Sequence, residues 1–280
     1  MEENNEELKS KVKNWWNDNP FNYFVSEADD WIKFREVDRK VMKWHRPWAH
    51  SHYPLLSNLI DYSKIAGKKV LDIAVGTGWS SEQFARMGAE VTAIDLTPAA
   101  VASTKRRFAL YGLKGEIVEA DAEKLPFADN TFDNVLAWGC LMHTPNTPVT
   151  INEIYRVLKP GGTAWAMMYY RNSSHWRYNI YFLKGILGLQ KLKYNDQSLA
   201  NRYTDGVYTG GNCLTKFYDK KQLREMWSKF GELKINIYDQ RETVENLPHR
   251  YLPLGKLLPN FIKDYLVTKI GLNVWIEAKK

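Results

Sequence analysis

Cysteine is scarce: Cys140 and Cys213 are the only two in 280 residues. Two cysteines make no disulfide framework, which fits a reducing, cytoplasmic setting. Long apolar runs are missing too, and none nears the roughly 20 residues that a membrane span requires. The opening MEENNEELKSK is acidic and polar rather than basic then apolar, so it does not read as a signal peptide. Zinc-ligand spacings, Arg-rich tracts and RNA-binding aromatic motifs are lacking as well. Neither a metal centre nor a nucleic-acid partner is therefore expected. The chain also has no internal repeat and no low-complexity segment.

Aromatic residues are plentiful, with 11 Trp and 16 Tyr, enough for an aromatic-walled pocket beside an ordinary core. The formal charge of +7 suits an anionic substrate, a nucleic acid or an anionic membrane surface. Part of it is concentrated near the end, where Arg250, Lys256, Lys263, Lys269, Lys279 and Lys280 face only Asp264 and Glu277.

From residue 68 to 170 short apolar runs alternate with helix-like segments. KKVLDI, AEVTAID, GEIVEAD, FDNVLAWG and GGTAWAMMYY read as strands. SSEQFARMG reads as a helix closed by Gly88. TPAAVASTKRRFALYG reads as another, with Thr97 as N-cap, Pro98 in its first turn and Gly112 at its end. NTPVTINEIYRVLKPGG reads as a third, stopped by Pro160 and two glycines. Strands separated by helices imply parallel βαβ units in a doubly wound, Rossmann-like α/β sheet with helices on both faces. ELKINIYD and NVWIEAKK are two later strand candidates. Residues 1–66 read as a helical, aromatic N-terminal lid, and 67–280 as the main domain. An insertion of about 171–232 precedes the sixth strand.

In such a sheet a ligand lies beyond the carboxyl ends of the strands, where the strand order reverses. The first strand ends in Asp72 and opens into AVGTG. Gly76 and Gly78 there allow close backbone approach. Ala74 stands where a glycine is common, and its methyl is harmless at an ordinary negative φ, which is the conformation expected for it. Asp72 either caps this loop or supports a cofactor. Asp95, ending the second strand, suits a ribose diol. Asp121, after the third, suits an exocyclic amine. Trp138 ends the fourth. A dinucleotide fingerprint fails, because its third glycine position is Ser81 and Trp79 crowds the helix start.

VLDIAVGTG, VTAIDLTPAAV, EADAEKLPFADNTFDNVLA and EIYRVLKPGG together resemble class I S-adenosylmethionine-dependent methyltransferases, over residues 68–170, of the ubiquinone/menaquinone type. The resemblance implies a seven-stranded sheet whose last strand, NVWIEAKK, is antiparallel. It implies S-adenosylmethionine as cofactor, with Asp72, Ala74, Gly76 and Gly78 cradling the methionine part. Asp95 would hold the ribose hydroxyls and Leu96 would pack on adenine. Asp121 and Ala122 would read the adenine edge, and Trp138 would receive the amino group. The family accepts Ala at position 74.

Methyl transfer needs an aligned nucleophile, and a base when that nucleophile is protonated. His143, after the fourth strand, is either that base or a loop histidine bonded to backbone. Cys140 has no evident base and reads as a small buried filler. Trp16 and Tyr23 are candidate lid contacts to the acceptor, and Tyr169, Tyr170 and Arg171 end the fifth strand near it. In residues 176–193, Arg177, Lys184 and Lys191 recur every seven positions beside an apolar face. That pattern suits either a helix packed on the domain or one on an anionic membrane. The expected partner is a small-molecule methyl acceptor, with a lipid-like acceptor or a non-catalytic cofactor-binding role as rivals; no feature sets an oligomeric state.

Overall fold

The computed structural model describes residues 2–19, 59–248 and 252–280. Tyr23, with most of the aromatic N-terminal block, lies outside the described residues. Seven strands form one sheet: β1 (Lys69–Ile73), β2 (Glu90–Asp95), β3 (Glu116–Glu119), β4 (Phe132–Trp138), β5 (Leu158–Tyr169), β6 (Glu232–Tyr238) and β7 (Asn273–Lys279). Their order is β3-β2-β1-β4-β5-β7-β6. The pairs from β3 to β5 are parallel, and β7 runs antiparallel to both β5 and β6. The order reverses between β1 and β4, so a crevice opens beyond their carboxyl ends.

Central strands are buried on both faces and therefore read as continuous apolar runs. In β1 only Lys69 is exposed. The edge strand β6 instead alternates, with Glu232, Lys234 and Asn236 turned to solvent. Before the sheet, α1 spans Glu2–Asp18. Between strands lie α2 (Trp79–Arg86), α3 (Pro98–Leu110) and α4 (Thr147–Val157). The Thr97 hydroxyl accepts from Ala100 N, and Asn146 likewise accepts from Val149 N, so the starts of α3 and α4 are capped by side chains. The turn residues predicted to stop α4 do not: it ends at Val157, and Pro160-Gly161-Gly162 belongs to the beginning of β5.

The two sheet faces carry separate cores. One gathers Ile151, Ile154 and Val157 of α4 with Leu223 and Trp227 from α6 (Lys220–Met226) and its C-terminal end. The other gathers Phe84, Phe108, Trp176 and Leu199. The last two come from the insertion, which contains a π-helix (His175–Leu187) and α5 (Asp196–Tyr203). The seven-residue basic stripe does not form on one helix. The π-helix ends at Leu187, Gly188 caps it, and Leu189 has φ +55°. Its wider turn and early end place Lys191 in a separate short 3-10 turn. After β6 follow α7 (Glu242–Glu245) and α8 (Asn260–Ile270). No helix of the described residues is long and apolar enough to cross a membrane.

Candidate active site

Beyond the strand ends lies a cavity of about 800 Å³. Ala74 and Gly76 line it from the first loop, as do Asp95 and Leu96 after β2, Asp121 and Ala122 after β3, and Trp138 at the end of β4. His143 lines it too, and Trp16 reaches it from α1. Four strand ends thus meet in one space.

Ala74 departs from expectation. Its φ is +57°, in the left-handed region, rather than negative. The chain turns there as a glycine would, and the residue is exposed on the cavity wall, so its small methyl group is tolerated. Gly76 (φ +56°) and Gly78 (φ +74°) complete a run of left-handed turns. Asp72 and Gly78 do not line the cavity. Asp72 is buried beneath the loop, where one oxygen accepts from the hydroxyls of Ser80 and Ser81, each at 2.6 Å. Burial pushes its carboxyl up to about 6 despite those donors. Asp72 ties β1 to the start of α2 and so sets the loop from behind.

Asp95 is differently placed. Its Oδ1 accepts from the Thr97 backbone N–H and hydroxyl at 2.9 and 2.8 Å, and its Oδ2 accepts from Gly76 N at 3.1 Å. Burial raises its pKa, while those donors oppose the rise. Oδ2, with the Gly76 N–H as its donor, keeps acceptor capacity, and Asp95 lines the cavity.

Two residues not anticipated from the sequence hold the loop from α3. Arg107 is 2% exposed and donates to the Thr77 carbonyl at 2.5 Å, while its other arm pairs with the buried Glu82 at 2.7 Å. The Thr104 hydroxyl donates to the Gly76 carbonyl at 3.2 Å. Mid-helix Arg and Thr residues read as surface positions, so no sequence signal marked them.

At the other end of the crevice α1 closes over β3. Lys9 pairs with Asp121 at 2.8 Å, Glu123 at 3.0 Å and Glu6 at 3.1 Å, and Lys13 pairs with Glu119 at 2.6 Å. Burial disfavours the Lys9 ammonium, but its carboxylate partners outweigh that and raise its pKa above the usual lysine value. Asp121 therefore faces the cavity already engaged by a cation.

The part of the cavity around His143 is aromatic. Trp16 packs edge-on against His143 with centroids 5.1 Å apart, and Tyr169 does so at 6.1 Å. Met167 and Tyr169 line the cavity. Tyr170 and Arg171 do not, contrary to the sequence expectation. Side chains alternate along β5, so Tyr169 shares the Met167 face while Tyr170 enters the opposite core. Arg171 is exposed. Beside His143, burial lowers the Lys216 ammonium to about 8, and it donates to the carbonyls of Thr144 and Pro145 at 2.7 and 2.8 Å, fastening that loop. Burial also raises the pKa of the Cys140 thiol, with the charges of Asp72 and Asp95 adding to the effect, which leaves it a poor nucleophile.

Comparison with known proteins agrees with this geometry. Residues 71–166 match a family model described as a methyltransferase domain. An uncharacterised protein of Mycobacterium tuberculosis is 36% identical over 137 residues, 45% of this chain and 50% of that protein. The chain spans about half the length of the first such curated relatives it matches. The ubiquinone/menaquinone biosynthesis C-methyltransferase UbiE of Chromobacterium violaceum is 35% identical over 203 residues, 70% of this chain and 77% of that enzyme. An S-adenosylmethionine-dependent methyltransferase structure from Methanosarcina mazei shares the fold with a TM-score of 0.55 at 22% identity, over 81% of this chain and 97% of that one. With its parallel sheet, its antiparallel seventh strand and its four strand-end motifs, the chain belongs to the class I S-adenosylmethionine-dependent methyltransferases.

Proposed function

We propose that this protein transfers the methyl group of S-adenosylmethionine to a small-molecule acceptor held between Trp16, His143 and Tyr169. One observation carries the reading: a single cavity joins the four cofactor-type strand ends to a histidine flanked by aromatic rings. The residues present suit the cofactor. Its volume lies within the range of pockets that enclose small ligands. Asp95 has acceptor capacity left for ribose hydroxyls, and a Cβ added at Gly76 would meet nothing within 4 Å, so the backbone there stands open to a ligand. When bound, S-adenosylmethionine supplies an electrophilic methyl group on a sulfonium. Leu96 and Ala122 would bound its adenine, and the 74–78 loop its methionine part. In this reading α1 is a lid, tethered by Lys9 and Lys13, that excludes water from the reacting atoms.

Calorimetric titration with S-adenosylmethionine and S-adenosylhomocysteine, with NAD as control, tests the cofactor. Micromolar binding of the first two is expected. Asp95→Ala should weaken it by about 1–3 kcal/mol, because the ligand hydroxyls lose their acceptor. Binding of NAD instead, or an unchanged affinity in the variant, would refute the assignment.

A second reading, a lipid-like acceptor taken from a membrane surface, is favoured by one feature. Leu187, Leu189 and Leu192 are 62%, 65% and 85% exposed, close in sequence to Arg177, Lys184, Lys191 and Lys193. Exposed leucines among cations suit an anionic bilayer. The Chromobacterium relative, named for ubiquinone and menaquinone biosynthesis, points the same way. Sedimentation with phosphatidylglycerol vesicles at low salt should pellet the protein, and Leu187→Glu with Leu192→Glu should abolish this. If the unaltered protein stays in the supernatant, the second reading is wrong.

A further inference from the structure

The insertion adds a carboxylate that the reading above leaves unused. Asp205 follows α5 and lines the same cavity as His143. Its Oδ1 accepts from the Tyr169 hydroxyl at 3.0 Å, whereas its Oδ2 is buried and has no hydrogen-bond partner among the described residues. That free oxygen stands 3.6 Å from His143 Nε2.

The other ring nitrogen is already committed. His143 Nδ1 lies 2.7 Å from the Leu214 carbonyl, and a carbonyl can only accept, so Nδ1 carries a hydrogen. The Asn212 amide nitrogen, 3.2 Å from the same atom, can only donate and would favour the other tautomer, but the shorter carbonyl contact decides for Nδ1–H; the Asn212 amide oxygen accepts from Leu214 N and keeps this segment in place. In the neutral imidazole, Nε2 is consequently a lone pair. It faces a second acceptor, the Asp205 carboxylate, across a gap too long for a hydrogen bond. Two acceptors facing each other lack a proton between them. Burial without a partner is costly for a carboxylate oxygen, and a donor delivered into this gap relieves that cost.

We propose that Asp205 is the positioning partner that makes His143 a proton acceptor, and that the pair selects methyl acceptors whose nucleophilic atom carries a hydrogen. This rests on the methyltransferase reading and narrows its substrate class to hydroxyl or amine acceptors on a flat apolar body, matched to the walls of Trp16, Trp138 and Tyr169. In the proton step the acceptor O–H or N–H bond breaks and its electron pair stays on the heteroatom. The proton bonds to His143 Nε2, and the new N–H donates to Asp205 Oδ2, so the imidazolium is balanced by a carboxylate. The proton then leaves to water. His175, at the start of the π-helix, is the other titratable group whose charge couples to Asp205, and burial lowers its pKa. That lowering disfavours a competing cation beside Asp205.

The test compares the wild type with Asp205→Asn, whose amide oxygen can still accept from Tyr169 while its amide N–H now donates to Nε2 and occupies the lone pair. Turnover is measured on two panels, phenols and primary amines, with S-adenosylmethionine affinity followed by calorimetry. One panel should be methylated by the wild type, which tells the oxygen source from the nitrogen source. Asp205→Asn should lower kcat about 100-fold or more, with KM and cofactor affinity within about threefold. Tyr169→Phe, which frees only Oδ1, should lower kcat by less. A readout independent of turnover is the ¹⁵N resonance of His143 Nε2, which should move in Asp205→Asn and stay in place in a distant surface variant. An unmoved resonance, or kcat within threefold of wild type, overturns the proposal. So does cofactor binding without turnover of either panel. Failure of S-adenosylmethionine to bind at all counts instead against the methyltransferase reading. If Asp205→Asn does not fold, Asp205→Ala, which removes the carboxylate facing Nε2, carries the same kcat and resonance comparison.

Discussion

Arg107→Met should cost the protein about 3 kcal/mol of stability and loosen the 74–78 loop with it. The expectation follows from what the guanidinium leaves behind. Glu82 is buried, and Arg107 supplies the cation at one of its oxygens, 2.7 Å away; Arg86 pairs with the other. Removing Arg107 leaves half of a buried carboxylate without its partner, and it also strips the Thr77 carbonyl of its donor. A pair removed whole behaves differently, because no uncompensated charge is left in the interior. Arg107→Met combined with Glu82→Leu should recover most of the stability in urea unfolding. It should not recover affinity for S-adenosylmethionine, because the Thr77 carbonyl remains unheld in both variants. If the single and double variants unfold at the same urea concentration, Glu82 is not what Arg107 stabilises. If both bind the cofactor as the wild type does, the loop does not depend on this clamp.

The clamp shows where sequence reasoning stops. Strand ends were legible because burial on both faces demands continuous apolar runs: β2 closes on Asp95 and β4 on Trp138, while β1 runs one residue past the expected Asp72, to Ile73. Helix starts were legible because Thr97-Pro98 and Asn146-Thr147 carry their own caps. These are local signals, written within a few residues. Arg107 and Glu82 are 25 residues apart and meet only when α2 and α3 pack. Asp205 reaches His143 through an insertion whose path no periodicity announces. Tyr169 and Tyr170 differ by one position, so the wrong choice between them turns the side chain from cavity to core. The helical periodicity of residues 176–193 misled for a physical reason: a π-helix closed by Gly188 does not keep a seven-residue stripe on one face. Ala74 misled because alanine carries no mark of a positive φ.

That backbone conformation yields the other large effect. Gly78→Ala should destabilise the protein by about 2–4 kcal/mol and abolish tight cofactor binding. At φ +74° an L side chain is strained, and the added Cβ would stand 2.6 Å from Thr104 Cγ2 and 2.9 Å from its hydroxyl oxygen. Thr104 is fully buried and cannot retreat freely, and its hydroxyl is the donor that fixes the Gly76 carbonyl. The clash therefore moves the loop itself. Gly76→Ala separates strain from clash: its φ of +56° is similar, yet a Cβ there meets nothing within 4 Å. Its stability loss should stay near 1 kcal/mol, while the methyl group takes up space on the cavity wall and should lower cofactor affinity more than stability. Ala74→Gly runs in the opposite sense. Relief of the left-handed alanine is partly offset by the greater freedom of glycine in the unfolded chain, so a gain of less than about 1 kcal/mol is expected. Urea unfolding and calorimetry on the three variants decide the matter. Equal losses in Gly78→Ala and Gly76→Ala would mean that backbone strain alone governs the loop. A larger loss in Gly78→Ala than in Gly76→Ala, recovered in part by Thr104→Ala, would mean that packing of α3 against the loop shapes this end of the cavity.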